Sequence, residues 1–245
     1  MFENFPKVSK PLPPEYAKIY EQQYKSNRSG ATVASSASQR MEAWLHKNVA
    51  KDSSLDLSTL EIGAGNLNQL KFESIGTEYD IVEPFKALYE NEKSKDQIRT
   101  IYDLMEDVPV TNKYDRITSC ATFEHIHNLP YVVAKSGLLL KENGCLRSAV
   151  PSEGGALWKI GYSLTTGLEF RMRYKLDYSV LMKYEHVNTV DEIHAVIKYF
   201  FKDVSVNRFG CGKHFSLYTF FLAKNPIIDR CIAYCNLNLM EEENL

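Results

Sequence analysis

Residues 59–68 read TLEIGAGNLN. The apolar start of this stretch predicts a buried β-strand, which turns sharply through Gly63 and Gly65 and continues into a helix. The next strand-like run ends in an acidic residue, Glu83, 18 positions after Gly65. In an α/β domain, bare glycine backbone lets a ligand approach the turn, and a carboxylate at the next strand end accepts hydrogen bonds from ribose hydroxyls. The stretch therefore indicates a domain that binds a nucleoside cofactor.

Strand and helix patterns alternate around this turn. Strands are predicted near 57–62, 78–83, 98–102, 115–120 and 144–150, with helices near 66–74, 84–93 and 130–141. An apolar stripe predicts a further helix over 37–50. Downstream, Thr189 and Glu192 form a capping-box pattern, and β-rich runs at 203–209 and 214–223 are joined by a link short enough for a hairpin. Alternation with short links predicts a parallel sheet.

Composition limits the class of protein and its partners. The chain has 245 residues, 44% of them hydrophobic, which suits one large α/β domain or two small ones. With a net charge of −2 the chain has no global basic field, so no nucleic-acid partner is expected, although a locally basic groove stays open. No signal peptide and no apolar run of ~20 residues is visible, so no membrane span and a cytoplasmic location are expected. The scattered cysteines give no zinc spacing, and no metal site is predicted; they are Cys120, Cys145, Cys211, Cys231 and Cys235.

Further motifs follow the glycine turn in a fixed order. They are Glu61-x-Gly63-x-Gly65, Glu83-Pro84, Tyr102-Asp103, Tyr114-Asp115-Arg116-Ile117, Phe123-Glu124-His125-Ile126 and Leu139-Leu140-Lys141-Glu142-Asn143-Gly144. Over about residues 55–150 this series resembles the class I S-adenosylmethionine-dependent methyltransferases, particularly the small-molecule branch whose fourth strand leads into a Glu-His pair. The resemblance implies an α/β fold with a Rossmann-like, seven-stranded, mostly parallel sheet, helices on both faces and a C-terminal antiparallel hairpin.

The resemblance also implies S-adenosylmethionine as the cofactor and assigns residues to it. The glycine loop would approach the methionine part, Glu61 would brace that loop, and Glu83 would hold the ribose hydroxyls. Asp103 would meet the adenine amino group, and Ala121 and Thr122 would line the cofactor channel. The predicted cofactor-binding residues are Glu61, Gly63, Ala64, Gly65, Asn66, Glu83, Pro84, Asp103, Leu104, Met105, Ala121, Thr122, Tyr24 and Arg28.

The predicted organisation has four parts. They are an N-terminal arm and helical cap (1–50), the cofactor-binding core (51–150), a substrate-binding insertion (151–188) and the C-terminal completion of the same domain (189–245). In the cap, Tyr24 and Arg28 are expected to fold over the cofactor, although ordinary helix packing is the alternative. The insertion is too long for a simple connection and is expected to roof the active site.

Methyl transfer requires a positioned acceptor and, for some acceptors, a base. His125 is the first candidate for a catalytic residue, because the loop after the fourth strand opens towards the site. His186 is the second candidate, because it ends the insertion where a roof would meet the site. A structural role is the alternative for each: His125 stacked behind the cofactor or bonded to a loop carbonyl, and His186 as a loop histidine with no role.

The insertion carries the predicted substrate-binding residues, which are Trp158, Arg171, Arg173 and Tyr184. Arginine offers a fork for phosphate or carboxylate, and aromatic faces stack on sugars, so an anionic or sugar-containing small molecule is expected. The alternative is that several aromatics form the insertion's own core and that Arg171 and Arg173, alternating as on one face of a strand, are merely solvated. The insertion is similar to methyltransferases of bacterial surface-polysaccharide pathways, which methylate a sugar hydroxyl or a phosphoryl-type oxygen. A monomer or a homodimer is expected.

Other function classes stay open at this point. A NAD-dependent oxidoreductase would require GxGxxG, but Asn68 stands at the third glycine position. A nucleic-acid methyltransferase of the base-modifying type would carry an Asn/Asp-Pro-Pro-aromatic loop directly after the fourth strand, where this chain has residues 119–122, SCAT. A protein methyltransferase or a non-catalytic binding protein would keep the same fold. The methyltransferase family itself often has a third glycine where this chain has Leu67.

Overall fold

The computed structural model describes residues 2–9, 11–20, 36–76, 78–152 and 166–242. The strands in these ranges are β1 (Thr59–Ile62), β2 (Tyr79–Val82), β3 (Thr100–Tyr102), β4 (Tyr114–Cys120), β5 (Leu140–Pro151), β6 (Phe201–Cys211) and β7 (Phe215–Pro226). The helices are α1 (Ser36–Ala50), α2 (Lys86–Tyr89), α3 (Leu129–Leu139), α4 (Thr166–Tyr174), α5 (Ser179–Glu185), α6 (Val190–Phe200) and α7 (Ile228–Glu242). Single 3₁₀ turns cover Asn68–Lys71, Lys93–Gln97 and Met105–Asp107, and residues 14–20 are also helical.

The seven strands form one sheet in the order β3-β2-β1-β4-β5-β7-β6. The first five are parallel to one another, whereas β7 pairs antiparallel with both β5 and β6. Strands β1 and β2 are buried along their whole length, as expected for parallel strands covered on both faces. The predicted mostly parallel sheet with a C-terminal antiparallel hairpin is therefore confirmed.

Helices cover both faces of the sheet, as predicted. On one face, α3, α6 and α7 bury the main core, with Ile117 of β4 and Phe221 of β7 against Ile193 and Phe200 of α6. The amphipathic face of α6 begins at the predicted capping box, where the Thr189 backbone N–H donates to Glu192 Oε2 at 2.8 Å. On the other face, α1 packs through Leu45 and Val49 onto Ala149 and Phe220.

Two buried arginines fasten the end of α1 to the sheet. Arg116 Nη2 and Arg147 Nε both donate to the carbonyl of Val49, at 2.9 and 2.8 Å. Cations at this position also match the negative end of the helix dipole. Arg116 is further paired with the buried carboxylate of Glu73, Nη1 to Oε2 at 2.8 Å. The face of the sheet beneath α1 is thus a polar, ion-paired layer that extends to β1.

Two predicted helices are much shorter than expected. The helix predicted at 66–74 is one 3₁₀ turn, Asn68–Lys71, because Leu67 adopts a left-handed φ of 58° that interrupts regular helix. The buried side chain of Gln69 in that turn bonds His46 Nδ1 at 2.7 Å and Glu73 Oε1 at 2.7 Å. The helix predicted at 84–93 is limited to Lys86–Tyr89 before the next 3₁₀ turn.

A small second core joins the N-terminal helical residues to α4 and α5. Tyr16, Phe170 and Leu181 are buried together there, and the Asp177 backbone N–H donates to Tyr16 Oη at 3.0 Å. Phe170 is thus a core residue, as expected for part of the insertion's aromatics, but this core is shared with the N-terminal helical residues. The strand-like interpretation of Arg171 and Arg173 is wrong, because both lie on helix α4, where residues two apart point to different faces.

The N-terminal arm has no helix or strand over residues 2–9, and it lies against the main core. Phe2 packs edge-to-face on Tyr199 and stacks on Phe200, with ring centroids 5.2 and 6.0 Å away. Lys7 Nζ bonds Glu192 Oε1 at 2.5 Å and the Val187 carbonyl at 2.7 Å. The arm therefore lies against the segment that links α5 to α6. No helix in the ranges given above combines the length and apolar character required to cross a membrane.

Candidate active site

The turn after β1 has two glycines in left-handed conformation, and each has a different reason to be glycine. Gly63 has φ +72°, and a Cβ there would lie 2.3 Å from Thr122 Cγ2 in the loop after β4. Thr122 Oγ1 also donates to the Gly63 carbonyl at 3.3 Å, so the two loops are in contact. Gly65 has φ +51°, but a Cβ there would meet nothing within 4 Å. The open space at Gly65 is where a ligand can approach the backbone.

Glu83 is held rigidly beside that open space. Its carboxylate is 4% exposed, and Oε2 accepts from the Gly65 backbone N–H at 2.8 Å. Oε1 accepts from the Phe85 backbone N–H at 2.9 Å. A carboxylate has about four acceptor positions, so each oxygen retains capacity for a further hydrogen bond. The glycine loop and Glu83, which the sequence placed at neighbouring strand ends, are thus in direct contact through a hydrogen bond.

The tips of β2 and β3 carry apolar side chains that reach solvent. Phe85 is 51% exposed and Leu104 is 52% exposed, next to the exposed Asp103. Leu104 and Met105 are both in the predicted cofactor-binding set, but only Leu104 is accessible, because Met105 is 3% exposed and belongs to the main core. Phe85 was not predicted, although its aromatic side chain directly after Glu83-Pro84 is a usable sequence signal.

Glu61 lies buried beneath the glycine loop, on β1. Its Oε2 accepts from the Tyr79 hydroxyl at 2.9 Å, so the hydrogen bond identified reaches strand β2 rather than the loop itself. Burial, reinforced by the neighbouring carboxylates of Glu73 and Glu83, raises the pKa of Glu61 to about 8. Glu61 therefore carries a proton at neutral pH, and Glu83 is not opposed by a second negative charge on β1.

Leu67 stands where the methyltransferases that this chain resembles often have a third glycine, and its backbone is left-handed. With φ 58° and ψ 28° it is in the left-handed region, which costs a non-glycine residue about 1–2 kcal/mol. Its side chain is 1% exposed and packs with Ala64, Tyr79 and Ile81, and burying a leucine contributes a comparable ~1.5–3 kcal/mol. Burial of the Leu67 side chain therefore offsets the cost of its left-handed backbone.

The two predicted catalytic histidines lie side by side. The rings of His125 and His186 meet edge-to-face with centroids 4.6 Å apart. His125 Nδ1 lies 2.9 Å from the Glu185 carbonyl oxygen, which can only accept, so Nδ1 carries the proton and Nε2 keeps its lone pair. Although 43% of the side chain is exposed, burial of the remainder and the adjacent His186 lower the pKa of His125 to about 4.

Acidification should reveal the lowered pKa of His125. Between pH 6.5 and about 4 the unfolded chain binds a proton that folded His125 does not, so the free energy of unfolding falls as the pH drops through this window. His125→Gln retains a donor for the Glu185 carbonyl but does not titrate. The variant should therefore lose less stability than the wild type between pH 7 and pH 4 in urea titrations. Parallel pH profiles, or an NMR-measured pKa of His125 at or above 6.5, would contradict the assignment.

Asn188 fixes the loop that carries His125. Its Nδ2 donates to the carbonyls of Phe123 at 2.8 Å and Ile126 at 2.7 Å, and its backbone N–H donates to the Glu124 carbonyl at 3.0 Å. Asn188 is 1% exposed. Sequence reasoning missed this residue, since a single asparagine before a helix cap carries no local signal for contacts more than 60 positions away.

A cavity of about 350 Å³ lies between the N-terminal arm and the end of α5. Its walls include Val8 and Leu12 from the arm, and Tyr184 and His186 from the opposite side. The predicted substrate residue Tyr184 and the predicted catalytic residue His186 thus share one cavity. Arg171 and Arg173 are exposed on α4 and do not line it, whereas Trp158, Tyr24 and Arg28 lie outside the described residues.

Solved structures share this architecture. A methyltransferase of Thermotoga maritima, described as S-adenosylmethionine-dependent and a possible histamine N-methyltransferase, aligns with TM-score 0.56 and 14% identity, covering 84% of this chain and 98% of its own. The plantazolicin methyltransferase BpumL, in complex with S-adenosylhomocysteine, aligns with TM-score 0.55 and 13% identity over 86% and 92%. This chain has the fold of the S-adenosylmethionine-dependent methyltransferases. An O-methyltransferase family protein of Burkholderia thailandensis aligns with TM-score 0.52 and 12% identity over 89% of this chain and 65% of its own.

Neither the comparison with protein-family models nor that with curated proteins finds a match. At 12–14% identity the structural likeness shows the fold alone, and any function has to be inferred from the residues at the carboxyl edge of the sheet.

Proposed function

We propose that this protein is an S-adenosylmethionine-dependent methyltransferase acting on a small-molecule acceptor. The observation that carries the proposal is the buried Glu83 carboxylate, bonded to the Gly65 N–H at 2.8 Å beside open space at Gly65. A scaffold without a ligand has no need to place an ionisable side chain there. Ribose hydroxyls are the donors that such a carboxylate accepts in nucleoside-binding α/β folds.

Residues along the carboxyl edge of the sheet suit each part of this cofactor, from its methionine to its adenine. Gly65 leaves its backbone open for the methionine part, and Gly63 keeps the turn in contact with Thr122, with Ala64 and Asn66 in the same turn. Asp103 is exposed for the adenine amino group, and the half-exposed Phe85 and Leu104 are placed for its ring. Pro84, Ala121 and Thr122 complete the proposed set, and buried Glu61 supports it from below. When bound, S-adenosylmethionine supplies a methyl group on a sulfonium, which needs only a correctly placed nucleophile.

His125 and His186 are proposed to hold the acceptor. Thr122 packs on the glycine loop, and the His125 backbone N–H donates to the Thr122 carbonyl at 2.9 Å, so the histidine pair adjoins the cofactor edge. Neutral His125 can accept the acceptor's hydroxyl or amine proton at Nε2. Because its pKa is low, we assign it mainly an orienting role, with the proton moving late in the reaction.

The acceptor is proposed to be a neutral or anionic oxygen nucleophile, such as a sugar, a sugar nucleotide or a phosphorylated metabolite of surface-glycan biosynthesis. The cavity beside His186 supports this class, because its described lining contains no acidic residue and includes Lys183, whereas Lys7 is already paired with Glu192. Tyr184 offers an aromatic face in the same cavity, and Arg171 and Arg173 add exposed cations on the insertion. A cationic acceptor is disfavoured by this lining.

Replacing Glu83 tests the proposed cofactor site. Glu83→Ala should weaken S-adenosylhomocysteine binding by about 1–3 kcal/mol, because hydrogen bonds to a charged acceptor are lost. Isothermal titration calorimetry measures the change, with Glu90→Ala as a control that removes an exposed carboxylate after α2. Equal affinity of wild type and Glu83→Ala would count against the placement. Tighter binding of NAD than of S-adenosylhomocysteine would favour the oxidoreductase alternative instead.

A further inference from the structure

A basic cluster lies near the tip of the β6–β7 hairpin, apart from the residues of the candidate active site. It consists of Arg208 at the end of β6, Lys213 in the turn and His194 on α6, and we call these three residues the hairpin cluster. They line one shallow depression together with Asp191 and Thr219. Cationic or protonatable groups from three elements thus converge on one point.

The positive charge of the hairpin cluster is only partly compensated. Asp191 Oδ2 lies 3.0 Å from Lys213 Nζ, but both side chains are more than half exposed, so the pair is strongly screened. Within the described ranges, the Arg208 guanidinium makes no hydrogen bond or ion pair. Burial together with the charges of Lys198, Arg208 and Lys213 lowers the pKa of His194, and Asp191 opposes this only in part.

Thr219, one of the residues that line the depression, belongs to a group of buried hydroxyls. Thr219 Oγ1 and Ser152 Oγ lie 2.7 Å apart, and Ser216 Oγ donates to Ser152 Oγ at 3.2 Å. A hydroxyl group can act as donor or acceptor, so the Thr219 hydroxyl can donate a hydrogen bond to a ligand in the depression. The ring of His194 stacks on the ring of Phe221 with centroids 5.4 Å apart, and this contact holds the orientation of the imidazole.

The strand register puts the hairpin cluster on the same edge of the sheet as the candidate active site. Cys120 of β4 pairs with Ala149, and the following residue Val150 pairs with Thr219, which pairs with Arg208. Arg208 therefore lies one residue closer to the carboxyl edge of the parallel strands than Cys120 does. With three strand spacings of roughly 4.8 Å between β4 and β6, the backbone of Arg208 lies about 14 Å across the sheet from the end of β4, where the loop that carries His125 begins.

We propose that the hairpin cluster binds a phosphate group carried by the methyl acceptor. A guanidinium fork, an ammonium and an imidazole that approach from three elements can each contact a different oxygen of a phosphate group. A separation of about 14 Å corresponds to an elongated acceptor whose phosphate lies apart from its methylated oxygen. The assignment to the acceptor rests on the proposed methyltransferase function, whereas the binding of phosphate does not.

Titration with inorganic phosphate tests the site without knowledge of the acceptor. We expect phosphate to raise the pKa of His194 in NMR titrations, because a bound anion favours the imidazolium. Arg208→Gln should weaken phosphate binding at least about tenfold, the scale of a lost charge-assisted contact. Lys202→Gln removes one positive charge from the exposed opposite end of the same strand and should leave phosphate binding unchanged.

Equal weakening in Arg208→Gln and Lys202→Gln, or no shift of the His194 pKa with phosphate, would overturn the proposal. S-adenosylhomocysteine binding by the same variants reports their folding and should be unaffected by Arg208→Gln. If phosphate bound at the hairpin cluster while wild type failed to bind S-adenosylhomocysteine, the methyltransferase proposal would fail and the phosphate site would stand. If the reverse held, only the phosphate site would be lost.

Discussion

Gly63→Ala is expected to abolish most S-adenosylmethionine binding and to lower the melting temperature. The new Cβ would lie 2.3 Å from Thr122 Cγ2 and 2.4 Å from Thr122 Oγ1, in a backbone with φ +72°. Overpacking costs about 1–3 kcal/mol, and a left-handed alanine costs about 1–2 kcal/mol more. For a chain of this size the combined loss corresponds to a fall of about 5–20 °C. The clash also displaces the loop after β4 from the glycine turn, and cofactor contacts on both loops are lost.

Two matched variants separate the clash from the backbone strain. Gly212→Ala introduces alanine at φ +73° with nothing within 4 Å of its Cβ, so it bears the conformational cost alone. Thr122→Ala removes the two nearest atoms and leaves Thr122 Cβ at 2.9 Å, so Gly63→Ala/Thr122→Ala should recover part of the stability. Calorimetric melting and titration with S-adenosylhomocysteine check both points. A Gly63→Ala protein as stable as Gly212→Ala would show that the Thr122 contact is unimportant.

Glu73→Ala is expected to destabilise the fold by about 3–5 kcal/mol, because it leaves the guanidinium of Arg116 charged and buried. Arg116 is 2% exposed and the Glu73 side chain is fully buried, with 2.8 Å between Nη1 and Oε2. The change also removes the nearer of two acceptors of Gln69 Nε2, Glu73 Oε1 at 2.7 Å, and leaves the His46 carbonyl at 3.2 Å. Because this layer lies under β1 and fastens α1, its loss should loosen the glycine turn as well. Urea unfolding monitored by circular dichroism measures the effect.

Glu78→Ala is the matched control for that prediction. Glu78 pairs with Arg99 at 3.6 Å, but the two side chains are 53% and 40% exposed, so its loss should cost no more than ~1 kcal/mol. Replacing both buried partners by apolar residues should cost less than Glu73→Ala alone, since no charge is then left unpaired. Similar small losses for Glu73→Ala and Glu78→Ala would contradict the importance of the buried pair.

The fold could be predicted from local patterns because most of its signals are local. Buried apolar runs specified the parallel strands, and the Thr189–Glu192 capping box specified the start of α6. The helix predicted at 66–74 failed for a reason that sequence spacing does not show. Leu67 buries its side chain in the core with a left-handed backbone, and the Gln69 side chain makes buried hydrogen bonds with His46 and Glu73.

The part of the candidate site that could be predicted consists of residues that directly follow a predicted strand. Gly65 and Glu83 follow neighbouring strands, and their hydrogen bond could be expected from that order. Asn188 could not be expected, because its partners at 123 and 126 are brought to it only by the packing of α6 on the sheet. The hairpin cluster likewise depends on tertiary register, which pairs Arg208 with Thr219 and places both under α6.

A crystal structure of the complex with S-adenosylhomocysteine tests the central claim most directly. We predict both ribose hydroxyls within about 3.2 Å of the Glu83 carboxylate, the adenine next to Asp103 and the sulfur facing the loop that leads to His125. Density for the ligand away from the Gly63–Gly65 turn, or a bound ligand that leaves Glu83 without contact to it, would contradict the account.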